Sequence, residues 1–300
     1  MTDGGAPLLV AWALLLSDPC VERAMQKLWF ITNTKSGTAT PAKADAIAAS
    51  FAEHKLTLVG RTAFPNDPLP TPESLDAAGV DTAVLFAGDG TINAAVAALA
   101  EWRGAVLILP GGTMNLLAKL LHGSTEPAAI LAAAVAHGRK IALPVVDLPE
   151  HRALVGLILG PAATWVRARE LVRAGRLRGL GRALLQAWRR TFGHGIRLDG
   201  VPGLKHGAQA VLVRAEPGRL DIAAIDARDF RALTRLGWEW LTGDWVAASE
   251  VTQCHAEQFR TRGDKPALAL VDGEPVMLEP GSTIRLGTTR DLFITTKAEA

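Results

Sequence analysis

Two successive strand–glycine–helix units constrain the fold of this chain more than any other feature of its sequence. The first unit begins with the compact apolar run Thr82–Phe86, which predicts a buried strand. Gly88-Asp89-Gly90-Thr91-Ile92-Asn93 follows, and an alanine-rich run from Thr91 to Trp102 predicts a helix with Thr91 as its cap. Glycines at such a junction allow a tight turn, and they let an anion approach the free N–H groups at the helix start.

Asp89 is the unexpected residue of this loop, because a bare carboxylate repels phosphate groups. Two explanations are open. Either Mg²⁺ lies between the carboxylate and the phosphates, or the carboxylate fixes the loop or binds a sugar hydroxyl. For this motif alone, an ordinary loop that needs glycines for its turn is the alternative to phosphate binding.

The second unit repeats the pattern directly afterwards. Ala105–Leu109 predicts another buried strand, Pro110-Gly111-Gly112-Thr113-Met114-Asn115 follows it, and Leu116–Leu121 predicts a helix. In an open α/β sheet, such loops lie side by side at the carboxyl edge of the strands, where ligands bind. Two loops of this form in succession favour a nucleotide-phosphate site over two unrelated turns.

A third stretch near the C-terminus, Val271-Asp272-Gly273-Glu274-Pro275-Val276, has two interpretations. Asp-Gly between apolar strands is typical of a hairpin turn, and the local sequence alone favours that turn. The turn does not explain the glutamate beside it. A turn can present a carboxylate at a cleft edge, where the carboxylate could take a proton from a substrate hydroxyl.

With these stretches in this order, the sequence resembles the diacylglycerol kinase catalytic-domain family, which includes sphingosine kinases and bacterial soluble lipid kinases. The family's Gly-Gly-Asp-Gly-Thr loop is matched at 87–91, with Ala87 in the first place, and its Pro-x-Gly-Thr-x-Asn loop is matched at 110–115. Its early Asn-Pro-x-Ser-Gly loop is matched at 33–37, with Thr34 for Pro, and its Asp-Gly-Glu stretch at 272–274. The resemblance extends over nearly the whole chain from about Met25, although the middle matches poorly.

The resemblance implies an ATP- and Mg²⁺-dependent lipid kinase, which transfers the γ-phosphoryl group to a hydroxyl of diacylglycerol or a related lipid. It implies that Glu274 is the general base and that Asp272 is its partner in a Mg²⁺ network, with Asp89 as a further metal-site residue. The implied nucleotide-binding residues lie in the three loops: Asn33, Ser36, Gly37, Gly88, Asp89, Gly90, Thr91, Asn93, Gly111, Gly112, Thr113 and Asn115.

Two stretches depart from the family's pattern. The family's Asp-Gly-x-Leu-Asp stretch is associated with a structural Mg²⁺ site, but here Pro217 replaces the first Asp and only Asp221 remains. An Asn-x-x-Gly-x-Gly type stretch is represented by Gly156–Pro161, without the Asn. These departures weaken the assignment of a particular lipid and of the structural metal site.

The order of elements predicts an α/β fold with two domains. Residues 26–140 are expected to form a doubly wound parallel-sheet nucleotide domain of the NAD kinase/diacylglycerol kinase type, and residues 141–300 an antiparallel β-rich lipid-substrate domain. Two helical inserts are expected in the second domain, at 164–190 and 228–241. The resemblance implies that the active cleft lies between the domains, and that the last strand returns to the first domain.

Residues 1–25 require a separate interpretation. The apolar run Pro7–Leu16 resembles a signal-peptide core, but no Lys or Arg precedes it and no small-x-small cleavage site follows it. We interpret these residues as a leader or a mis-called start ahead of a true start near Met25. A membrane-contacting amphipathic segment is the alternative.

Charge and cysteine content limit the partners and the compartment. The 32 Lys and Arg residues nearly balance the 30 Asp and Glu residues, so no nucleic-acid partner is expected. Cys20 and Cys254 make no disulfide framework, which favours a reducing compartment, and no apolar run is long enough to span a membrane.

A local basic segment suggests how the protein would reach a lipid. Between Arg167 and Arg190, eight arginines stand against Glu170 alone, with leucines between them. Such a segment suits an anionic lipid surface, and a solvated helix face is the alternative. The prediction is a cytoplasmic protein, peripheral at the inner membrane face, whose oligomeric state is open, a homodimer included.

Two other functions remain as alternatives. An NAD kinase-type enzyme shares the Gly-Asp-Gly-Thr loop, but its Asn-Glu and Gly-Ser-Thr-Ala-Tyr stretches are missing and the chain contains no Tyr. A non-catalytic regulator of the same fold, which binds nucleotide or lipid, is the second alternative.

Overall fold

The computed structural model describes residues 25–160, 195–202, 204, 207–225, 251–290 and 292–298. Several predictions from the sequence lie outside these residues: the leader at 1–24, the arginine-rich insert at 164–190 and the second helical insert at 228–241. Among the described residues, no helix has the length and apolar character that are needed to cross a membrane.

The first sheet is parallel except at one edge, and it follows the order β2-β1-β3-β4-β17-β5. Its strands are β1 (Lys27–Thr32), β2 (Thr57–Ala63), β3 (Thr82–Ala87), β4 (Ala105–Pro110), β5 (Arg139–Ile141) and β17 (Phe293–Thr295). Both central strands that the sequence predicts are present, and every residue of β3 and β4 is buried. Burial on both faces explains why these strands are continuously apolar.

Helices cover both faces of this sheet: α1 (Pro41–Glu53), α2 (Pro72–Ala77), α3 (Asp89–Ala98), α4 (Leu116–His122) and α5 (Pro127–His137). The expected start of α3 is wrong, because the helix begins at Asp89, and Gly88, not Thr91, is its N-cap. The proline-containing stretch from Arg61 to Pro70 predicts a loop, but β2 continues to Ala63 beside β1, so the loop starts later than that pattern indicates.

Two core clusters lie on opposite sides of the first sheet. Alternate residues of β3 belong to different clusters: Ala83 and Leu85 lie in one, and Val84 and Phe86 lie in the other. A sheet that is buried on both faces in this way forms the middle layer of a three-layer α/β domain, which confirms the predicted fold class.

The last strand of the chain lies inside this sheet. β17 pairs in parallel with β4 through Phe293 and Val106, and it pairs antiparallel with β5 on its other side. Phe293 is fully buried. The apolar run 141–146 predicts a single strand, but the structure divides it, because β5 ends at Ile141 in this sheet and the next strand belongs to another sheet.

The remaining strands form two antiparallel sheets, as the sequence predicts for the second half of the chain. The second sheet follows the order β12-β11-β10-β8-β14-β15 and the third β7-β6-β16-β13-β9. The second contains β8 (Leu157–Leu159), β10 (Ala210–Glu216), β11 (Arg219–Ile225), β12 (Val251–Ala256), β14 (Ala267–Val271) and β15 (Glu274–Leu278). The third contains β6 (Pro144–Asp147), β7 (Arg152–Ala153), β9 (Arg197–Asp199), β13 (Gln258–Arg262) and β16 (Thr283–Thr288).

A single apolar cluster joins the second and third sheets. Val213 and Ile222 of the second sheet belong to the same cluster as Phe259 and Ile284 of the third. The two sheets therefore pack face to face around a shared core. On the other side of the third sheet, alternate residues of β9 and β13 are exposed, whereas Val145 of β6 packs into a core cluster of the first sheet.

Candidate active site

Three loops meet at the carboxyl edge of the first sheet. The first loop (33–40) follows β1, and the third (111–115) joins β4 to α4. The second (88–91) consists of Gly88, which joins β3 to α3, and the first turn of α3. The N–H groups of Thr38 and Ala39 donate to the carbonyl oxygen of Gly111 at 3.1 and 3.0 Å. The first and third loops thus hold each other by backbone hydrogen bonds, so they form one unit.

Glycine is required where these loops touch. A Cβ on Gly37 would lie 2.9 Å from the carbonyl carbon of Gly112, and Gly37 also has a φ of +43°. A Cβ on Gly112 would lie 2.8 Å from the Cα of Gly88. Backbone atoms cannot yield to such contacts, so the three loops can pack this closely only with glycine at these positions.

Side chains add two further connections between the loops. The Asn33 amide Nδ2 donates to the Thr91 hydroxyl at 2.9 Å, while its Oδ1 accepts from the N–H of Lys35. Thr91 is buried and serves as this contact between loops rather than as a helix cap. The Asn115 Oδ1 accepts from the Gly112 N–H at 2.7 Å and stabilises the third loop, with Asn115 itself in a left-handed conformation.

Asp89 connects the second loop to the third. Its Oδ1 accepts from the N–H of Leu116 at 2.9 Å, and its Oδ2 from the N–H of Asn115 at 3.1 Å. These are the first N–H groups of α4, where a negative charge is stabilising. Of the two roles considered for Asp89, the observed contacts display the one in which the carboxylate fixes the loops.

The hairpin interpretation of Asp-Gly-Glu is correct. Val271 pairs with Glu274, so Asp272 and Gly273 form a two-residue turn, and both have positive φ, at 49° and 91°. Two left-handed residues are what a type I′ hairpin turn requires. The turn and the expected site coincide, because this hairpin lies against α3.

Asp272 is buried, with 6% of its surface exposed, and it is held from several sides. Its carboxylate accepts from the N–H groups of Leu154, Val155 and Gly156 at 2.8, 2.8 and 2.9 Å. The Asn93 amide of α3 donates to the same carboxylate at 3.3 Å. Burial raises the pKa of Asp272, and these hydrogen bonds offset part of that effect.

Glu274, by contrast, is exposed and lies next to the second loop. A Cβ placed on Gly90 would come within 3.2 Å of the Glu274 Oε1. The carboxylate is therefore in contact range of the first turn of α3, where the glycine leaves room. A carboxylate at the edge of these loops has the chemistry to accept a proton.

A cleft of about 510 Å³ opens beside Glu274, between α3 and the antiparallel sheets. Its wall is partly apolar, formed by Val96, Ala97, Ala100, Leu154 and Val276. Charged and polar side chains also line it: Glu101, Glu150, His151, Arg152 and Arg290. Arg290 forms an ion pair with Glu101, which connects the segment before β17 to the end of α3. Gly90 and Asn93 line the cleft too, so it reaches the second loop.

The loops, the hairpin and the cleft can be compared with known proteins. Residues 27–146 match the diacylglycerol kinase catalytic domain. The resemblance that the motifs indicated is confirmed over these residues, which carry all three loops. No curated protein matches the sequence.

Solved structures extend the likeness of fold beyond the catalytic-domain match. A diacylglycerol kinase from Bacillus anthracis is similar over 91% of this chain and 97% of its own, with 17% identity and a TM-score of 0.59. Two structures of a candidate diacylglycerol kinase from the same strain have TM-scores of 0.58, at 17% and 18% identity, with the same coverage. Residues 27–146 and the β-rich region therefore share the fold of these proteins.

The predicted metal residues differ in how they could serve a cation. A carboxylate offers about four acceptor positions, and Asp272 already receives four hydrogen bonds. Asp89 receives two, so it retains positions toward a hydrated Mg²⁺, which binds through few carboxylates. Asp89 is therefore better suited than Asp272 to hold a cation.

Asp221 lies elsewhere in the fold. It is buried on β11, where it accepts from the Gln253 amide at 3.1 Å and lies 3.5 Å from His255 Nε2. Two strands, β10 and β8, separate β11 from β14, which carries the hairpin. Within the described part of the chain, no three His, Cys, Asp or Glu side chains form a group suited to a metal ion.

Sequence reasoning missed the backbone donors at 154–156 and assigned Asn93 only to nucleotide. The donors could not be found from the sequence, since any residue type supplies an N–H group. Asn93 follows Gly90 by one helical turn, so its place on the face of α3 beside that glycine was a usable signal.

Proposed function

We propose that this protein is an ATP- and Mg²⁺-dependent lipid kinase, which transfers the γ-phosphoryl group of ATP to a hydroxyl of diacylglycerol or a related lipid. The kinase-type family match supports the reaction class. The observation that carries the proposal is the place of Glu274, which lies between the glycine loops and a partly apolar cleft.

The loops supply the phosphate site in this proposal. α3 has no side-chain cap, so its first N–H groups are left for an anion. The nested glycines allow that anion to approach the backbone closely. Asp89 keeps α4 in place beside it and is the residue we propose to hold Mg²⁺ through water. When bound, the ion would neutralise charge on the transferring phosphate.

Glu274 acts on the acceptor in this proposal. The lipid hydroxyl lies in the cleft and donates its proton to the Glu274 carboxylate, while its oxygen forms a bond to the γ-phosphorus. The bond from that phosphorus to the bridging oxygen breaks, and ADP leaves. Asp272 holds the turn that presents Glu274, and its own carboxylate stays engaged by N–H donors.

The cleft wall supports a lipid acceptor over a polar one. Ala97 of α3 and Ala100 just beyond its end expose apolar surface to the cleft, and Val276 of β15 lines the cleft as well. An acyl chain would bury this surface, whereas a sugar or a nucleotide would leave it unused.

The test is Glu274→Gln, assayed by transfer from labelled ATP to a panel of diacylglycerol, ceramide, sphingoid bases, phosphatidylglycerol and NAD. A general base contributes typically about 10²–10⁴-fold to the rate, so we expect phosphorylation to fall by about two orders of magnitude with ATP affinity unchanged. Glu279→Gln is the matched control, because Glu279 is exposed just beyond the same strand. Near-parent activity of Glu274→Gln, or preferential transfer to NAD, would refute the proposal.

A further inference from the structure

The solvent face of the third sheet carries a concentration of arginines. Along β9 and β13 exposed and buried residues alternate, so one side packs on the core and the other faces water. The register of the strands brings the exposed arginines onto that one side. We call the set the arginine face: Arg197, Arg260, Arg262 and Arg285.

Few acidic groups offset this charge. Arg262 lies directly opposite Arg197, an arrangement of like charges that weakens a sheet. Asp199 lies 3.5 Å from Arg262 and is paired across the strands with Arg260, and Asp147 is paired across the strands with Arg285 while its carboxylate forms an ion pair with Arg152. Among the described residues, Arg197, Arg260 and Arg285 have no carboxylate within ion-pair distance. Arginines therefore outnumber aspartates on this face, and the like-charged pair Arg197 and Arg262 is where an external anionic partner would relieve repulsion.

The arginine face is continuous with the cleft. β16 carries Arg285 and ends at Thr288, which lines the cleft. Across β6, Arg285 is followed by Asp147 and then by Arg152, which also lines the cleft. A surface that binds the arginine face would thus lie at the mouth of the cleft, within a few strand spacings of it.

We infer that the arginine face docks on an anionic lipid bilayer and so brings the cleft mouth to the membrane that holds the acceptor. A sheet face is broad and flat, as a bilayer surface is, and its charge complements acidic headgroups. This inference rests on the proposed function, because the neighbouring cleft identifies a membrane, rather than a nucleic acid, as the anionic partner.

The test uses the full chain and sedimentation with vesicles of phosphatidylcholine alone or mixed with phosphatidylglycerol. The variant Arg197→Gln/Arg260→Gln/Arg262→Gln should lose affinity for the mixed vesicles by about fivefold per arginine, ~100-fold in all, and added salt should lower the affinity of the parent. The control is Arg61→Gln/Arg103→Gln/Arg219→Gln, which removes the same charge from exposed positions elsewhere.

Kinase activity separates this inference from the proposed function. With a short-chain lipid in neutral detergent micelles, the arginine-face variant should phosphorylate as the parent does, and it should lose activity only on anionic vesicles. A parent that binds vesicles but phosphorylates no lipid would refute the function and leave the docking surface standing. Equal loss in the control variant, salt-insensitive binding, or tighter binding to a duplex oligonucleotide than to vesicles would overturn the inference.

Discussion

His122 should make the stability of this protein sensitive to mild acid. The side chain ends α4, is 8% exposed, and has its Nδ1 3.1 Å from the Thr296 hydroxyl beyond β17. Burial, assisted by the charge of Lys297, lowers the pKa of His122 from 6.5 to about 4. The native state therefore keeps this histidine neutral at pH values where the unfolded chain protonates it.

The sign and size follow from proton linkage. Above pH 6.5, His122 does not lower the free energy of unfolding. As the pH falls from 6.5 toward 4, the free energy of unfolding decreases, because only the unfolded state gains the proton in that range. The difference amounts to about 2 kcal/mol at pH 5 and about 3 kcal/mol at pH 4. Other groups titrate in the same range, so the effect must be isolated by a variant.

His122→Leu provides that comparison, since leucine has a similar volume and binds no proton. The free energy of unfolding, measured by urea denaturation at pH 7.5, 6, 5 and 4, should fall more steeply with acid in the parent than in the variant. The difference between the two should change by about 2 kcal/mol between pH 7.5 and 5. Parallel curves would show that the buried histidine is protonated in the folded protein, which would refute the reasoning.

Two further substitutions test how the loops and the hairpin are held. Asp89→Asn replaces one of the two carboxylate oxygens that accept hydrogen bonds at the start of α4, so the free energy of unfolding should fall by about 1–2 kcal/mol. If the variant also loses much more affinity for Mg·ATP than for metal-free nucleotide, Asp89 holds the metal as well. Asn93→Ala removes the α3 donor to Asp272 and should lower turnover about tenfold with nucleotide affinity unchanged. Isothermal titration measures the nucleotide affinity and steady-state kinetics the turnover. Weaker nucleotide binding with unchanged turnover would show instead that Asn93 belongs to the nucleotide site.

The glycine loops could be predicted from the sequence because their requirement is local. Buried strands that run into Gly-Asp-Gly and Pro-Gly-Gly identify themselves by composition, and the contacts of Gly37 and Gly112 give the physical reason. The Asp-Gly turn was equally readable. The sequence of the hairpin does not show whether Glu274 faces solvent or a site, because that depends on its contact with α3, which is distant along the chain.

The remaining features depend on long-range packing. The N–H groups at 154–156 donate to Asp272, which lies more than a hundred residues further along the chain. Because every residue type except proline has a backbone N–H group, the residue types at these positions do not reveal this role. β9, β12 and β13 were missed because polar and charged residues occupy most of their exposed positions, so their apolar content is low. Their strand character comes from pairing with neighbours that the sequence order does not indicate.

The position of β17 has a consequence for how the chain is made. Residues 27–146 carry the three loops, yet the edge of β4 is completed only by Phe293–Thr295. While the ribosome synthesises the intervening residues, β4 has an unpaired apolar edge that invites wrong partners. This first part of the chain can reach its native form only when the final strand emerges, so we expect a fragment that stops at residue 146 to aggregate rather than fold.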